Sequence, residues 1–169
     1  MHSSELYTYI IRARRDLWAT LEAVPDHILT SKVIGGPRFH CIKDLLFHIA
    51  DVEDGWTNGD IRRGQMVQES IPILRNGGPD FSGFPLNLLL DYSRLVEQST
   101  LAYLGTISDE DEKRVVQVDD WPNKPFSLGG LLWHVMIHEM RHSAQIVMLL
   151  RIQGIKPPSL DLLFYLPLV

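Results

Sequence analysis

The chain has 169 residues, 45% hydrophobic and 22% charged, with a net charge of −5 and one cysteine. That length most simply makes a single domain, 1–169, large enough to bury a core without disulfide staples. The acidic balance argues against a nucleic-acid groove, which needs a basic face, and lone Cys41 excludes an intramolecular disulfide.

Cys41 reads as a small buried hydrophobe. No apolar run approaches the roughly 20 residues of a membrane span. The N-terminal MHSSELYTYI lacks the basic-then-apolar order of a signal peptide, so the cytoplasm is the expected location.

Ser3 or Ser4 is placed to cap a first helix, with Glu5 in its first turn. Leu6, Ile10, Ala13, Leu17 and Leu21 form its apolar stripe, and Pro25-Asp26 mark its end. Arg12, Arg14 and Arg15, the one dense basic cluster, read as a solvated face. His27 to Phe39, with Gly35-Gly36-Pro37, reads as a loop.

A second helix is expected from about His40 to about Arg62. Cys41, Leu45, His48, Val52 and Trp56 form its inner stripe, so a histidine occupies a core slot. Asp44 and Asp51 flank His48 by one turn, either as partners that fix its tautomer or as solvated acids. Gly64 to Pro85 reads as a long crossover edging a site opening. A third helix follows over about Pro85 to Leu104. The segment 105–127 carries Val115-Val116-Gln117-Val118 and fits a short hairpin.

The fourth helix is expected over Leu128 to Ile152, capped by Ser127 and ended by Gly154. Its seam, Leu128, Leu131, Val135, His138, His142, Gln145, Leu149 and Ile152, again places histidines where leucines belong. The tail from Leu160 is apolar enough to pack back on the bundle. Four such helices make an all-α bundle, in which metal sites are built from inward side chains on facing helices.

His138 and His142 lie four residues apart on one helical face and can point at one ion. Buried imidazoles need partners or a metal. His48, His138 and His142 are therefore a candidate three-histidine site, the alternative being three satisfied core histidines. Neutral imidazoles suit Zn, Ni, Cu or Fe, and three protein ligands leave a position for water or substrate.

His138-Glu139-Met140-Arg141-His142 is a literal H-E-x-x-H, with Glu139 as its candidate proton carrier. A metalloprotease of this kind takes its third ligand from downstream. After His142 the chain has neither Glu nor His, and Asp161 is its only acid. His134, one turn earlier and off the seam, is a candidate substrate-facing group.

Two stretches together resemble the DinB-like family. One is Asp44-Leu45-Leu46-Phe47-His48-Ile49-Ala50-Asp51 followed by Trp56. The other is His134-Val135-x-x-His138-Glu139-x-x-His142-x-x-Gln145, followed by Leu150-Arg151 and Gly154. The closing Pro157-Pro158-x-x-Asp161 fits as well. The resemblance implies a four-helix bundle with long crossover connections, commonly a homodimer. It also implies a divalent metal (zinc first, nickel or iron next) on His48, His138 and His142.

Related members include transferases that use bacillithiol or mycothiol. The resemblance therefore implies a low-molecular-weight thiol cosubstrate and a small-molecule substrate; Glu139 and His134 are the candidate catalytic residues, as groups that move protons there. It departs at Ser143-Ala144, where members often carry Arg-Gly. The competing expectations are metal-dependent hydrolysis of a small substrate and a non-enzymatic metal-binding stress-response protein.

Overall fold

The computed structural model describes residues 2–36, 38–75 and 81–166. Its four long helices are α1 (Ser3–Glu22), α2 (Ile42–Asp54), α3 (Leu86–Leu104) and α4 (Leu128–Ile152). α2 continues without a break into a π-helical segment, Gly55–Ile61. A two-residue antiparallel ladder joins β1 (Val115–Val116) to β2 (Phe126–Ser127) just ahead of α4. Among the described residues no helix is long and apolar enough to cross a membrane.

The helix starts and stops follow local chemistry. Ser127 Oγ accepts the Gly130 amide at 3.1 Å, and Gly154 leaves α4 at φ 78°. At the start of α1 the cap is His2, not a serine. Its amide donates to Glu5 Oε2 at 2.9 Å. Ser3 lies inside the first turn, buried, its amide held by Glu112 Oε1 at 3.0 Å.

α1 and α2 each pack beside both α3 and α4, so α1 lies diagonal to α2 and α3 diagonal to α4. The connections 23–41 and 105–127 therefore cross the bundle. The connection 62–85, expected as the crossover, joins neighbours instead. Buried polar groups of α2 stitch it down. Asp54 accepts from the Val67 and Gln68 amides, from Asn58 Nδ2 and from Tyr92 Oη. Asp44 accepts the Phe81 amide at 2.8 Å, and Lys43 Nζ donates to the Phe84 carbonyl at 2.8 Å. The tail packs on α1, where Tyr9 Oη donates to the Leu160 carbonyl and Tyr165 Oη to Asp16.

The apolar core is split into two clusters. One contains Leu17, Leu21, Leu45, Leu46, Leu89, Val96, Ile146 and Leu150. The other contains Leu6, Ile10, Ala13, Ile61, Leu104, Leu128, Leu132 and Met136. A charged layer lies between them in all four helices: Arg14 of α1, Glu53 of α2, Glu97 of α3 and Glu139 of α4.

Arg14 binds one glutamate from each of the other three helices. Its Nη2 reaches Glu53 at 2.6 Å and Glu139 at 2.5 Å, its Nη1 reaches Glu97 at 3.2 Å, and its Nε reaches Glu139 at 2.9 Å. Tyr7 Oη donates to Glu53, and half-exposed Arg15 donates to Glu97. The basic cluster expected on a solvated face thus places its middle residue in the centre of the bundle. Helical periodicity alone assigned Arg14 to water because it could not see three carboxylates arriving from other helices.

Removing the cation leaves three buried carboxylates without their counter-charge. Arg14→Met is expected to lower stability by about 3–5 kcal/mol at neutral pH. The loss should shrink on acidification. In the variant the folded-state pKa values rise above the unfolded ones, so the penalty is present at high pH and is relieved as pH falls through them. Urea unfolding of both proteins across pH checks magnitude and direction together.

Candidate metal centre

α2 and α4 are neighbours, and their contact brings His48 against His138 and His142. One ring nitrogen of each lies within 4.8 Å of the others. His138 Nε2 and His48 Nε2 are 3.1 Å apart, and the three ring centroids are separated by 4.8, 4.9 and 4.4 Å. Nitrogens sharing one tetrahedral zinc stand about 3.3 Å apart for Zn–N bonds of ~2.0–2.1 Å. The His48–His138 pair stands at about that spacing, and the His142 nitrogen lies within 4.8 Å of both.

Burial, then the neighbouring His142, pushes His48 down to about 4 and His138 down to about 3. Both rings are neutral at pH 7 and offer lone pairs, as ligand histidines must. His142 Nδ1 lies 2.6 Å from Gln145 Oε1. A carbonyl oxygen only accepts, so Nδ1 carries the proton and Nε2 keeps a free lone pair for a metal. His138 Nδ1 is buried with no partner among the described residues. Two neutral rings sharing a 3.1 Å contact, one with an orphaned nitrogen, are poorly satisfied by each other alone and fit a cation between them.

The other expected site residues stand elsewhere. Glu139 turns into the core, where both carboxylate oxygens bind Arg14. Burial raises its pKa and the Arg14 guanidinium opposes that rise. It does not join the histidines. The 100° step between helix neighbours puts residue 139 on the face next to that of 138 and 142, and the Arg14 guanidinium holds it toward the core.

His134 is exposed, 5.2 Å from the Trp56 ring and 6.4 Å from the His138 ring. Trp56 sits in the π-helical segment and stacks on Trp121 at 6.0 Å, which continues an aromatic shelf from the histidines toward solvent. Neither Asp44 nor Asp51 hydrogen-bonds His48. Asp44 is occupied by the His40 and Phe81 amides. Cys41 is fully buried and burial raises its thiol to about 11, in keeping with a core role.

Phe39, in the 27–39 loop, carries no periodic signal in the sequence, yet its ring lies 4.3 Å from His48 and 5.9 Å from His142 and covers that side of the trio. Its φ is 59°, an uncommon conformation for a bulky side chain. The Gly35-Gly36-Pro37 stretch just before the α2 cap was the available signal of a tightly turned approach.

The DinB family model matches residues 1–73 and 82–168. Among solved structures, a DinB-like protein from Bacillus cereus superposes with a TM-score of 0.58 at 17% identity, over 87% of this chain and 89% of that one. At that identity the likeness concerns the fold. No curated protein sequence gives a significant match.

The depressed histidine pKa values set an acid limit for the metal-free protein. In the unfolded chain these rings titrate near 6.5, in the fold near 4 and 3. Between those values the unfolded state binds more protons, so stability is present above about 6.5 and is lost as pH falls through the window. Thermal midpoints of metal-free protein should fall on acidification from pH 7 to pH 4. The fall should be shallower in His48→Gln and His138→Gln.

Proposed function

The chain belongs to the DinB family, and from that premise we propose that it is a divalent-metal-dependent transferase. It would hold zinc, or nickel or iron, on His48, His138 and His142, and would use a low-molecular-weight thiol as cosubstrate. The observation that carries this reading is the convergence of three imidazoles, with no carboxylate among them and a cleft beside His48. Three protein donors are the catalytic rather than the structural complement. A divalent ion held there lowers the pKa of a thiol that meets it, and the thiolate is the nucleophile.

The chain's own residues supply the rest. Gln145 holds His142 in the tautomer that presents Nε2. Phe39 keeps water from the outer face of His48. His134 and Trp56 edge the side from which an electrophile approaches, with His134 the group placed to take or give a proton there. Glu139 orders the bundle rather than moving protons, since Arg14 occupies its carboxylate. Hydrolysis through a glutamate-activated water loses support for the same reason. A purely structural metal loses support from the cleft of about 70 Å³ beside His48.

The cytoplasm, where small thiols stay reduced, is the location this chemistry favours. The same reading includes a homodimer. Trp133, Ile137, Met140, Met148 and Ile152 are exposed along the outer face of α4. The described part of the tail packs on α1.

Protein prepared without chelators should carry close to one metal ion per chain by elemental analysis. His138→Ala should carry little, and thiol transfer to a reactive electrophile should depend on both metal and thiol. Metal-free wild type after reconstitution with zinc, nickel and iron would sink the proposal. For the dimer, Ile137→Glu with Met140→Glu should convert the sedimenting species from dimer to monomer with the metal content unchanged.

A further inference from the structure

Two charged side chains on the His48 edge of the trio have no use in the fold or in the chemistry above. Arg38 precedes Phe39 in the loop and is exposed. Its guanidinium lies 5.7 Å from the Phe39 ring centroid, and among the described residues it makes no ion pair. Asp51 lies one turn after His48 on α2. It is half-buried, and its carboxyl makes no hydrogen bond or ion pair among the described residues.

Both face one cleft of about 70 Å³, lined also by Phe39, Asp44, Phe47, His48 and Phe81, with the Asp44 carboxylate already held by the His40 and Phe81 amides. That is room for a charged head group or about two waters. Asp51 and Arg38 sense each other there. Burial, then the neighbouring Asp54, raises the Asp51 pKa and the Arg38 charge draws it back, yet the two side chains do not close on each other. Buried or half-buried charges normally find partners. The Phe39 backbone, in the left-handed region at φ 59°, is what turns Arg38 and the ring over the histidine instead of out along the loop.

An open cation and an open anion across a cleft that touches a metal ligand make a receptor for a ligand carrying both charges. We propose that Arg38 and Asp51 bind the carboxylate and the ammonium of a small amino-acid-type thiol whose sulfur lies toward His48, His138 and His142. This selects a zwitterionic, cysteine-like cosubstrate over neutral or singly charged thiols. It deepens the thiol reading of the metal centre and rests on it. Arg38 and Asp51 are specificity residues, not catalytic ones.

Cobalt(II)-loaded protein provides the test, because thiolate coordination adds a charge-transfer absorption that can be titrated. The probes are L-cysteine, its methyl ester, which lacks the carboxylate, and N-acetylcysteine, which lacks the ammonium. Cysteine should bind about tenfold or more tighter than either, the worth of one charge-assisted hydrogen bond. R38A should abolish the preference over the ester and leave the preference over N-acetylcysteine. D51N should do the reverse, and R38K should keep most of the wild-type pattern.

Equal binding of the three thiols, or preferences that survive both substitutions, overturns the assignment. Absence of cobalt binding or of any thiolate band strikes the proposed function instead. Calorimetry with S-methylcysteine, on metal-free and metal-loaded protein, then decides the charge pair by itself. Binding weakened in both variants upholds it, and no binding, or binding the variants do not change, ends it. Unaltered thermal unfolding of R38A and D51N shows that the fold is not the cause.

Discussion

The bundle depends on one guanidinium. Arg14 meets Glu53, Glu97 and Glu139, so a single side chain of α1 is tied to each of the other three helices. An apolar core tolerates small slides and rotations of its helices, because one methyl contact replaces another at little cost. A buried guanidinium does not. Its donors have fixed directions, and a helix that rotates leaves a carboxylate in low dielectric without its partner. The layer separates two apolar clusters and fixes the rotation and height of every helix at the level where it lies.

The three-histidine cluster stands at that level. Glu139 is flanked on α4 by His138 and shares a helical turn with His142, and Glu53 lies little more than a turn beyond His48 on α2. Locking the two glutamates to Arg14 sets the azimuth of both helices, and with it the direction of all three imidazoles. α4 therefore works on three sides at once: a charged core face, a histidine edge, and an exposed apolar flank of Trp133, Ile137, Met140 and Met148. Its hydrophobic pattern is accordingly wide and its H-E-x-x-H is divided between two surroundings. The motif's histidines and its glutamate serve different layers of the protein. In a metalloprotease helix the same letters would converge on one ion.

Much of the architecture was legible in the residues. The 25 residues of α4 were bounded by Ser127 and Gly154 because capping is a local property. The stripe Leu6, Ile10, Ala13, Leu17, Leu21 is buried as its period required. His48, His138 and His142 stood out because polar residues occupied slots that period assigned to leucine. The π-helical widening after Asp54 was not legible, since it arises where α2 meets Asn58, Val67, Gln68 and Tyr92 around one buried carboxylate. Nor was the diagonal placement of α1 and α2, which no local signal encodes.

What the sequence determined by itself was periodic and local: four amphipathic helices, their ends, and the three histidines on inward stripes. What only the tertiary structure decided was which charges meet. Arg14 read as solvent-facing and proved central. Glu139 read as a proton carrier and proved to be Arg14's partner. Phe39 and Arg38 read as loop and Asp51 as either a partner of His48 or a solvated acid, and all three line one cleft at His48. The physical reason is that helical period reports hydrophobicity along one element. The state of a charge is set by groups that arrive from other elements, and those separations, 39 to 125 residues for the bonds of Arg14, lie far outside any local pattern.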